Sequence, residues 1–249
     1  MPVISFNPDE RFKLSRFSKI DLGGFVIQDE HIRGISANAI ALKDLKLTLQ
    51  GSQYGNDVVA ALAPLYGRLE KLDLQRHPNC AGNPRFSQDK TDFSAFTELR
   101  VLCASSSHWF RSISCNASAT PHFFTYKDED RVGTYALLPP NLEELDVRFD
   151  WPNGIFVQQI YCSRLFRANA KSLNTKGFPW LFEILDMRST VKRIALTEEA
   201  HKCRGRNNVM GGTNDWQVPF NPSEQVQKAF IEKNVELGIK LLEFPANVV

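Results

Sequence analysis

The sequence predicts an α/β solenoid, in which short parallel strands alternate with helices, and three observations lead to this fold class. A six-residue phrase with apolar side chains at its first, fourth and sixth positions recurs along the chain. Between the phrases the apolar spacing changes from two residues to three or four, which is typical of helices. The composition, 43% hydrophobic and 23% charged over 249 residues, is that of a soluble globular protein.

The phrase occurs six times, at Phe17–Leu22, Leu42–Leu47, Leu69–Leu74, Leu99–Ala104, Leu142–Val147 and Val191–Leu196. The first three spacings, about 25 to 30 residues, lie in or near the range of about 20–29 residues found in proteins built from such units. The last two, about 43 and 49 residues, require insertions or additional helical turns.

Strand geometry predicts a different role for each position of the phrase. Successive side chains of a strand point to opposite faces, so positions 4 and 6 are expected in the core. Position 1 is expected to pack where the chain enters the strand. Positions 3, 5 and 7 then face away from the core, on the concave side of a solenoid whose helices line the convex side.

The segments between the phrases carry helical spacing. We expect helices over residues 29–40, after a cap at Asn56, and over 178–185. A last helix is expected to begin near Pro222 and to end at Gly238, before a strand with Ile239, Leu241 and Leu242.

The phrase at residues 138–149, LPPNLEELDVRF, together with WPNGIF at 151–156 and the closing residues 229–241, resembles the leucine-rich repeat region of fungal F-box proteins. The resemblance implies a leucine-rich repeat solenoid that recognises a protein substrate for a ubiquitin ligase. In that family a separate F-box of about 40 helical residues docks on the ligase adaptor, and only about 16 residues precede the first phrase here. An adaptor is therefore expected as a partner only if an F-box exists outside this chain.

The predicted organisation is a single domain over 1–249, with an N-terminal cap at 1–16 and irregular repeats over 17–198. A loop, a capping helix and the last strand are expected over 199–249. Long insertions at 75–92, 105–141 and 198–222 each follow a phrase and are expected on one rim, where long loops are either functional or disordered.

The candidate binding residues lie at the outward positions of the phrases, with Trp109 on the rim. One interpretation is a mixed-charge face that recognises a protein partner; the alternative is a solvated face with charge pairs across strands. The alternation of sign does not favour nucleic acid. The aromatic side chains of the longest insertion are either a binding hot spot or the packing of a loop on its scaffold. The candidates are Lys46, Lys71, Asp73, Cys103, Trp109, Glu144, Asp146, Arg148 and Arg193.

Catalytic and metal-binding patterns are weak. Cys103, His108 and Cys115 are metal-capable but lack the paired spacing usual for zinc. Cys103 with His77 or His108 is a conceivable nucleophile pair under the 105–134 insertion, without a local signature. We therefore expect no enzyme, no metal and no cofactor. A small hydrolase-like enzyme and a structural repeat protein without a partner remain as alternatives.

The partner and compartment follow from charge and cysteine usage. The formal net charge is only +2, which gives no strong attraction to nucleic acid or membranes. The five cysteines are widely spaced without a CxxC pair, and neither a signal peptide nor a membrane span is recognisable. The expected protein is a cytoplasmic or nuclear monomer that binds an unidentified protein partner.

Overall fold

The computed structural model describes residues 14–25, 27–49, 55–76, 90–109, 132–149, 179–200, 222 and 224–243. In this part of the chain, seven strands form one sheet in which every neighbouring pair is parallel and the spatial order is the order of the sequence. The strands are β1 Lys19–Leu22, β2 Asp44–Leu49, β3 Lys71–Arg76, β4 Val101–Ser105, β5 Glu144–Phe149, β6 Arg193–Ala200 and β7 Glu236–Glu243.

The described connections contain four α-helices and several short 3₁₀ turns. The helices are α1 Asp29–Asn38, α2 Gly55–Ala61, α3 Pro179–Met187 and α4 Glu224–Glu232. The turns are Leu14–Arg16, Ala63–Leu65, Ser106–His108 and Thr134–Leu137. The predicted α/β class with one parallel sheet is confirmed, and a sheet in strict sequence order is compatible with a solenoid. None of the described helices is long and apolar enough to cross a membrane.

The phrases align in register, so that equivalent positions sit side by side across the sheet. The fourth position of each phrase pairs with the fourth position of the next phrase, and β7 continues the same row. This row contains Ile20, Leu45, Leu72, Leu102, Leu145, Ile194 and Leu237.

A backbone contact fixes this register where each strand begins. The carbonyl of Lys43 accepts hydrogen bonds from the N–H groups of Glu70, at 2.9 Å, and Lys71, at 2.8 Å. The carbonyls of Ser18, Glu70, Arg100 and Glu143 each accept two equivalent bonds from the following phrase. One carbonyl thus satisfies two N–H groups at the start of the next strand, which leaves little freedom for a register slip.

One apolar core runs along the sheet from α1 to α4. In the five phrases after the first, the side chains at positions 1, 4 and 6 are at most 4% exposed. Phe17 is the exception, because its side chain is 51% exposed. The prediction that Phe17 packs where the chain enters the strand was wrong: among the described residues β1 is an edge strand, and no further unit stacks on it.

Two predicted helix boundaries were also wrong. Helix α4 ends at Glu232, because Asn234 adopts a left-handed conformation with φ of 54° and the N–H of Val235 bonds to the carbonyl of Phe230. Gly238 therefore lies inside β7. Asn56 does not precede α2 but lies in its first turn, where its side chain bonds to the backbone of Lys90 and Asp92.

Most residues of the three predicted insertions lie outside the described part of the chain. Of the aromatic residues in the longest insertion, Trp109 and Tyr135 are described. His77, Cys115 and the WPNGIF segment also lie outside the described part.

Candidate functional site

The face of the sheet opposite the core, here called the polar face, carries positions 3, 5 and 7 of the phrases. Because strand side chains alternate, the strand residues that flank each buried leucine must point to this face. The register places them in three rows that run across the sheet. The first row is Lys19, Asp44, Lys71, Val101, Glu144, Arg193 and Glu236; the second is Asp21, Lys46, Asp73, Cys103, Asp146, Ala195 and Gly238; the third is Thr48, Gln75, Ser105, Arg148, Thr197 and Lys240.

The first row alternates in charge, and its neighbours form ion pairs. Lys19 Nζ lies 3.4 Å from Asp44, while Arg193 lies 3.9 Å from Glu144 and 3.3 Å from Glu236. The side chains of these pairs are 25% to 65% exposed, so each pair contributes on the order of 1 kcal/mol or less.

The alternation of charge is interrupted at the centre of the row by Val101, which is uncharged. It lies between Lys71 and Glu144 and is partly exposed. Among the described residues, Lys71 has no ion-pair partner. The centre of this row therefore presents an apolar side chain beside a cation that is available for a new contact.

The second and third rows, on the same face, contain a cluster of polar side chains around β4. Asp73 is 8% exposed, and its carboxylate accepts a hydrogen bond from Gln75 at 2.9 Å and pairs with Arg148 at 3.5 Å. Arg148 lies on β5, two strands from β3, a separation of about 10 Å. Its guanidinium can cross β4 because the side chains there, Cys103 and Ser105, are small.

The second carboxylate of the cluster, Asp146, extends the contacts to the last strands. Its Oδ1 accepts a hydrogen bond from the Thr197 hydroxyl at 2.7 Å, and its Oδ2 lies 3.8 Å from Lys240 Nζ. Asp73 and Asp146 flank Cys103 on the two neighbouring strands. Polar contacts therefore connect β3 to β7 across the polar face.

The Cys103 thiol is held in its protonated form. Burial raises the pKa of this thiol strongly, and the negative charges of Asp73 and Asp146 raise it further; a hydrogen bond to the Asp73 carboxylate acts in the same direction. A nucleophilic cysteine needs the opposite environment, one that stabilises the thiolate. Cys103 is thus suited to filling the space below Arg148, not to attacking a substrate.

Of the two histidines considered as its partner, His77 lies outside the described residues and His108 lies on the core side of the sheet. The His108 ring contacts Phe93, with ring centroids 5.8 Å apart, and its Nδ1 lies 3.0 Å from the Thr91 hydroxyl. Phe93 belongs to the apolar core, whereas Cys103 belongs to the polar face. The geometry does not bring Cys103 and His108 together.

Trp109, which the sequence placed on the binding rim, is not on the surface. Its side chain is 2% exposed and packs edge-on against Phe93, with ring centroids 5.7 Å apart. The aromatic ring belongs to the core because the turn Ser106–His108 directs the chain back under the sheet after β4. Of the two interpretations of this residue, the structure favours packing on the scaffold.

The other eight candidates lie together on the polar face. Asp73 and Cys103 are buried there, at 8% and 6% exposed, so only the six charged side chains around them are accessible to a partner.

Two residues that the sequence analysis did not select, Glu236 and Lys240, complete the rows on β7. They were missed because Gly238 was interpreted as a helix end. The alternation of Glu236, Gly238 and Lys240 with Leu237 and Ile239 is the strand signal that identifies them.

Histidine, cysteine, aspartate and glutamate are the side chains of the described segments that could hold a metal ion. In these segments, no group of three or more histidine, cysteine, aspartate and glutamate side chains is close enough to share a metal ion. The pair Asp73 and Asp146 with Cys103 instead has its charge balanced by Arg148 and Lys240.

No match is found. Neither a protein-family model, nor a curated protein, nor a solved structure matches this chain. The features of this chain that bear on its function are therefore the phrases, their register and the chemistry of the polar face.

Proposed function

We propose that this chain is a leucine-rich repeat solenoid whose polar face binds a protein partner. One observation carries the proposal: three registered rows across seven strands place polar, charged and small apolar side chains on a sheet face opposite the core. A parallel array of this kind supplies an extended recognition surface without any catalytic group. The phrases support the repeat interpretation, because positions 1, 4 and 6 are buried in the five phrases after the first and the same backbone contact joins each phrase to the next.

The charge balance of the polar face favours a protein over a nucleic acid. Its rows contain six basic and six acidic side chains, so the two signs cancel. A surface for nucleic acid has an excess of positive charge along the path of the phosphates. A mixed pattern instead gives specificity, because only a partner with the complementary pattern avoids like-charge contacts.

The contacts within the face support binding by a preformed surface. Side chains that are already held in place lose less conformational freedom when a partner binds. Arg148 and Asp146 are held by Asp73 and Thr197 respectively, before any partner is present. Val101 and Lys71 supply an apolar contact and an available cation at the centre, where interfaces concentrate their binding energy.

By resemblance to the F-box type of repeat protein, we propose that the partner is a substrate presented for ubiquitination. The ligase adaptor enters this proposal only through an F-box outside this chain. A cytoplasmic or nuclear location is part of the same proposal.

The direct test is a capture experiment with charge-reversed variants. The double variant Lys46→Glu/Lys71→Glu changes two cations of the polar face, while the control Arg33→Glu/Lys228→Glu makes the same charge change on exposed positions of α1 and α4. Immobilised wild type and control should retain the same partner from an extract of the source organism. The face variant should bind it at least about tenfold more weakly, a loss of about 1.4 kcal/mol.

Equal retention by the face variant and the wild type would exclude the polar face as the binding surface. Loss of binding in the control alone would place the site on the helices. Circular dichroism and urea unfolding of each variant separate a binding defect from a folding defect.

A further inference from the structure

Strand β7 is an open edge of the sheet among the described residues. It pairs with β6 over all eight of its residues, and no described strand pairs with its other side. The N–H of Glu236 bonds to the carbonyl of Lys192, the residue that precedes β6. Since backbone groups alternate in direction along a strand, Gly238 and Lys240 also direct theirs to β6, whereas Leu237 and Ile239 direct theirs outward.

The apolar core is also open at this end. On β6, Ile194 and Leu196 are fully buried, but their neighbours on β7, Leu237 and Ile239, are only partly buried. Ile231 of α4, in the same terminal unit, is 78% exposed. A strand with free backbone groups beside partly exposed apolar side chains is a surface on which another strand can add.

We propose that this edge is the interface between two copies of this chain, with their β7 strands antiparallel about a two-fold axis at Gly238. In such a pair, the outward residues must face each other to exchange hydrogen bonds. An axis at Gly238 meets this condition, because it places Leu237 opposite Ile239 of the second copy and repeats the contact by symmetry.

Charge complementarity selects this register. With the axis at Gly238, Glu236 lies opposite Lys240 of the second copy, and Lys240 lies opposite Glu236 of the second copy. An axis at Lys240 would place two lysines against each other, and an axis at Leu237 would place Glu236 opposite a glycine. Glu236 and Lys240 are 65% and 44% exposed, so both can exchange their present ion pairs for contacts across the axis.

The glycine at the axis suits the geometry of the contact. Residues at a non-hydrogen-bonded position of an antiparallel pair approach to about 4.5 Å between Cα atoms. Gly238 presents no side chain there, so the strands can meet without a steric conflict. The amino-acid sequence alone led us to expect a monomer; the edge of β7 leads us to infer a dimer.

Sedimentation velocity over a wide range of protein concentration tests the proposal. The wild-type chain should form a dimer. Each single variant, Glu236→Lys or Lys240→Glu, places like charges across the axis and should weaken the dimer at least about tenfold. An equimolar mixture of the two variants should restore a dimer, because it pairs the lysines of one variant with the glutamates of the other.

The mixture also controls for folding, since each chain keeps its altered contacts with Arg193 or Asp146 in both measurements. The neutral variants Glu236→Gln and Lys240→Gln should weaken the dimer less than the charge reversals do. A wild type that stays monomeric, single variants that dimerise as well as wild type, or a mixture that stays monomeric would each overturn the proposal.

Discussion

Gly55 shows how strongly one residue can be constrained by its neighbours. It begins helix α2, and a Cβ atom at this position would overlap with the Thr91 hydroxyl and lie 2.8 Å from His108 Nδ1. The Thr91 N–H also donates to the carbonyl of His108 at 2.8 Å, so the two residues hold each other in place. The absence of a side chain at Gly55 is therefore what allows α2 to pack against the turn after β4.

We predict that Gly55→Ala destabilises the protein by about 1–3 kcal/mol, the range for overpacking in a filled core. The matched control is Gly34→Ala in helix α1, where a Cβ would meet nothing within 4 Å. That change should stabilise the protein by about 0.5–1 kcal/mol, because alanine loses less backbone freedom in a helix. Urea unfolding measures both; two changes of the same sign would contradict this explanation.

At this scale, the sequence predicts burial better than it predicts contacts. The leucines of the phrases are recognisable because their spacing repeats, and they are buried as expected. The packing of Thr91, His108 and Gly55 joins three separate segments, and no local pattern indicates it. Trp109 was misplaced for the same reason: its burial depends on Phe93, which lies in another segment.

At the scale of the strands, the phrases are joined at their entrance by charged residues at position 2, here called the entry rim. Lys43 lies 2.6 Å from Glu70, while Glu143 lies 3.2 Å from Arg100 and 2.6 Å from Lys192. The hydrogen bond from Lys192 lowers the pKa of Glu143, and the hydrogen bond from Lys43 lowers the pKa of Glu70.

These shifts predict how stability depends on pH. Because each carboxyl has a lower pKa in the folded chain than in the unfolded chain, its contribution is present above the unfolded value of about 4.3 and is lost as pH falls through the folded value. Glu143→Gln should therefore lose a smaller part of its thermal stability than wild type between pH 6 and pH 3. Thermal unfolding at the two pH values measures the difference.

The matched control for this prediction is Glu30→Gln, which removes an exposed carboxylate of helix α1 outside the entry rim. Between pH 6 and pH 3 this control should lose more of its thermal stability than Glu143→Gln does. If Glu143→Gln lost as much thermal stability at low pH as wild type and this control, the entry rim would not contribute to the pH dependence of stability.

The ends of the elements were the hardest part of the fold to predict. Gly238 was a reasonable stop signal for a helix, since glycine is the residue most often found there. Asn234 is instead the residue with a left-handed backbone conformation after the helix, because asparagine also tolerates that conformation. The strand that follows could then begin at Glu236, two residues before the predicted stop.

At the scale of the whole molecule, each unit buries its apolar side chains against its neighbours, so position along the sheet determines the effect of a change. Leu102 of the central strand β4 is fully buried, whereas its counterpart Leu237 on the edge strand β7 is only partly buried. We predict that Leu102→Ala destabilises the protein by about 2–5 kcal/mol, and that Leu237→Ala costs about half of this or less. Equal losses in urea unfolding would show that the sheet is not stabilised unit by unit.

The phrases also predicted the arrangement of the molecule correctly: one parallel sheet with aligned polar positions. Eight of the nine candidate residues lie on the polar face for this reason. The two proposals concern different parts of the sheet: the centre of the polar face is assigned to a protein partner and the edge at β7 to a second copy, with Glu236 and Lys240 belonging to both the rows of the face and the edge. If one of these proposals is disproved by its experiment, the other is still tested by its own.

The central claim, that the polar face is the surface that binds a protein partner, is tested most directly by site-specific photo-crosslinking. A photoreactive amino acid would replace Lys71 at the centre of the polar face, or Lys228 on the exposed side of helix α4, and the chain would be irradiated in its native cellular extract. We predict a discrete covalent adduct with a partner protein from position 71 and none from position 228. An adduct from position 228 alone, or the absence of any adduct from position 71, would contradict the claim.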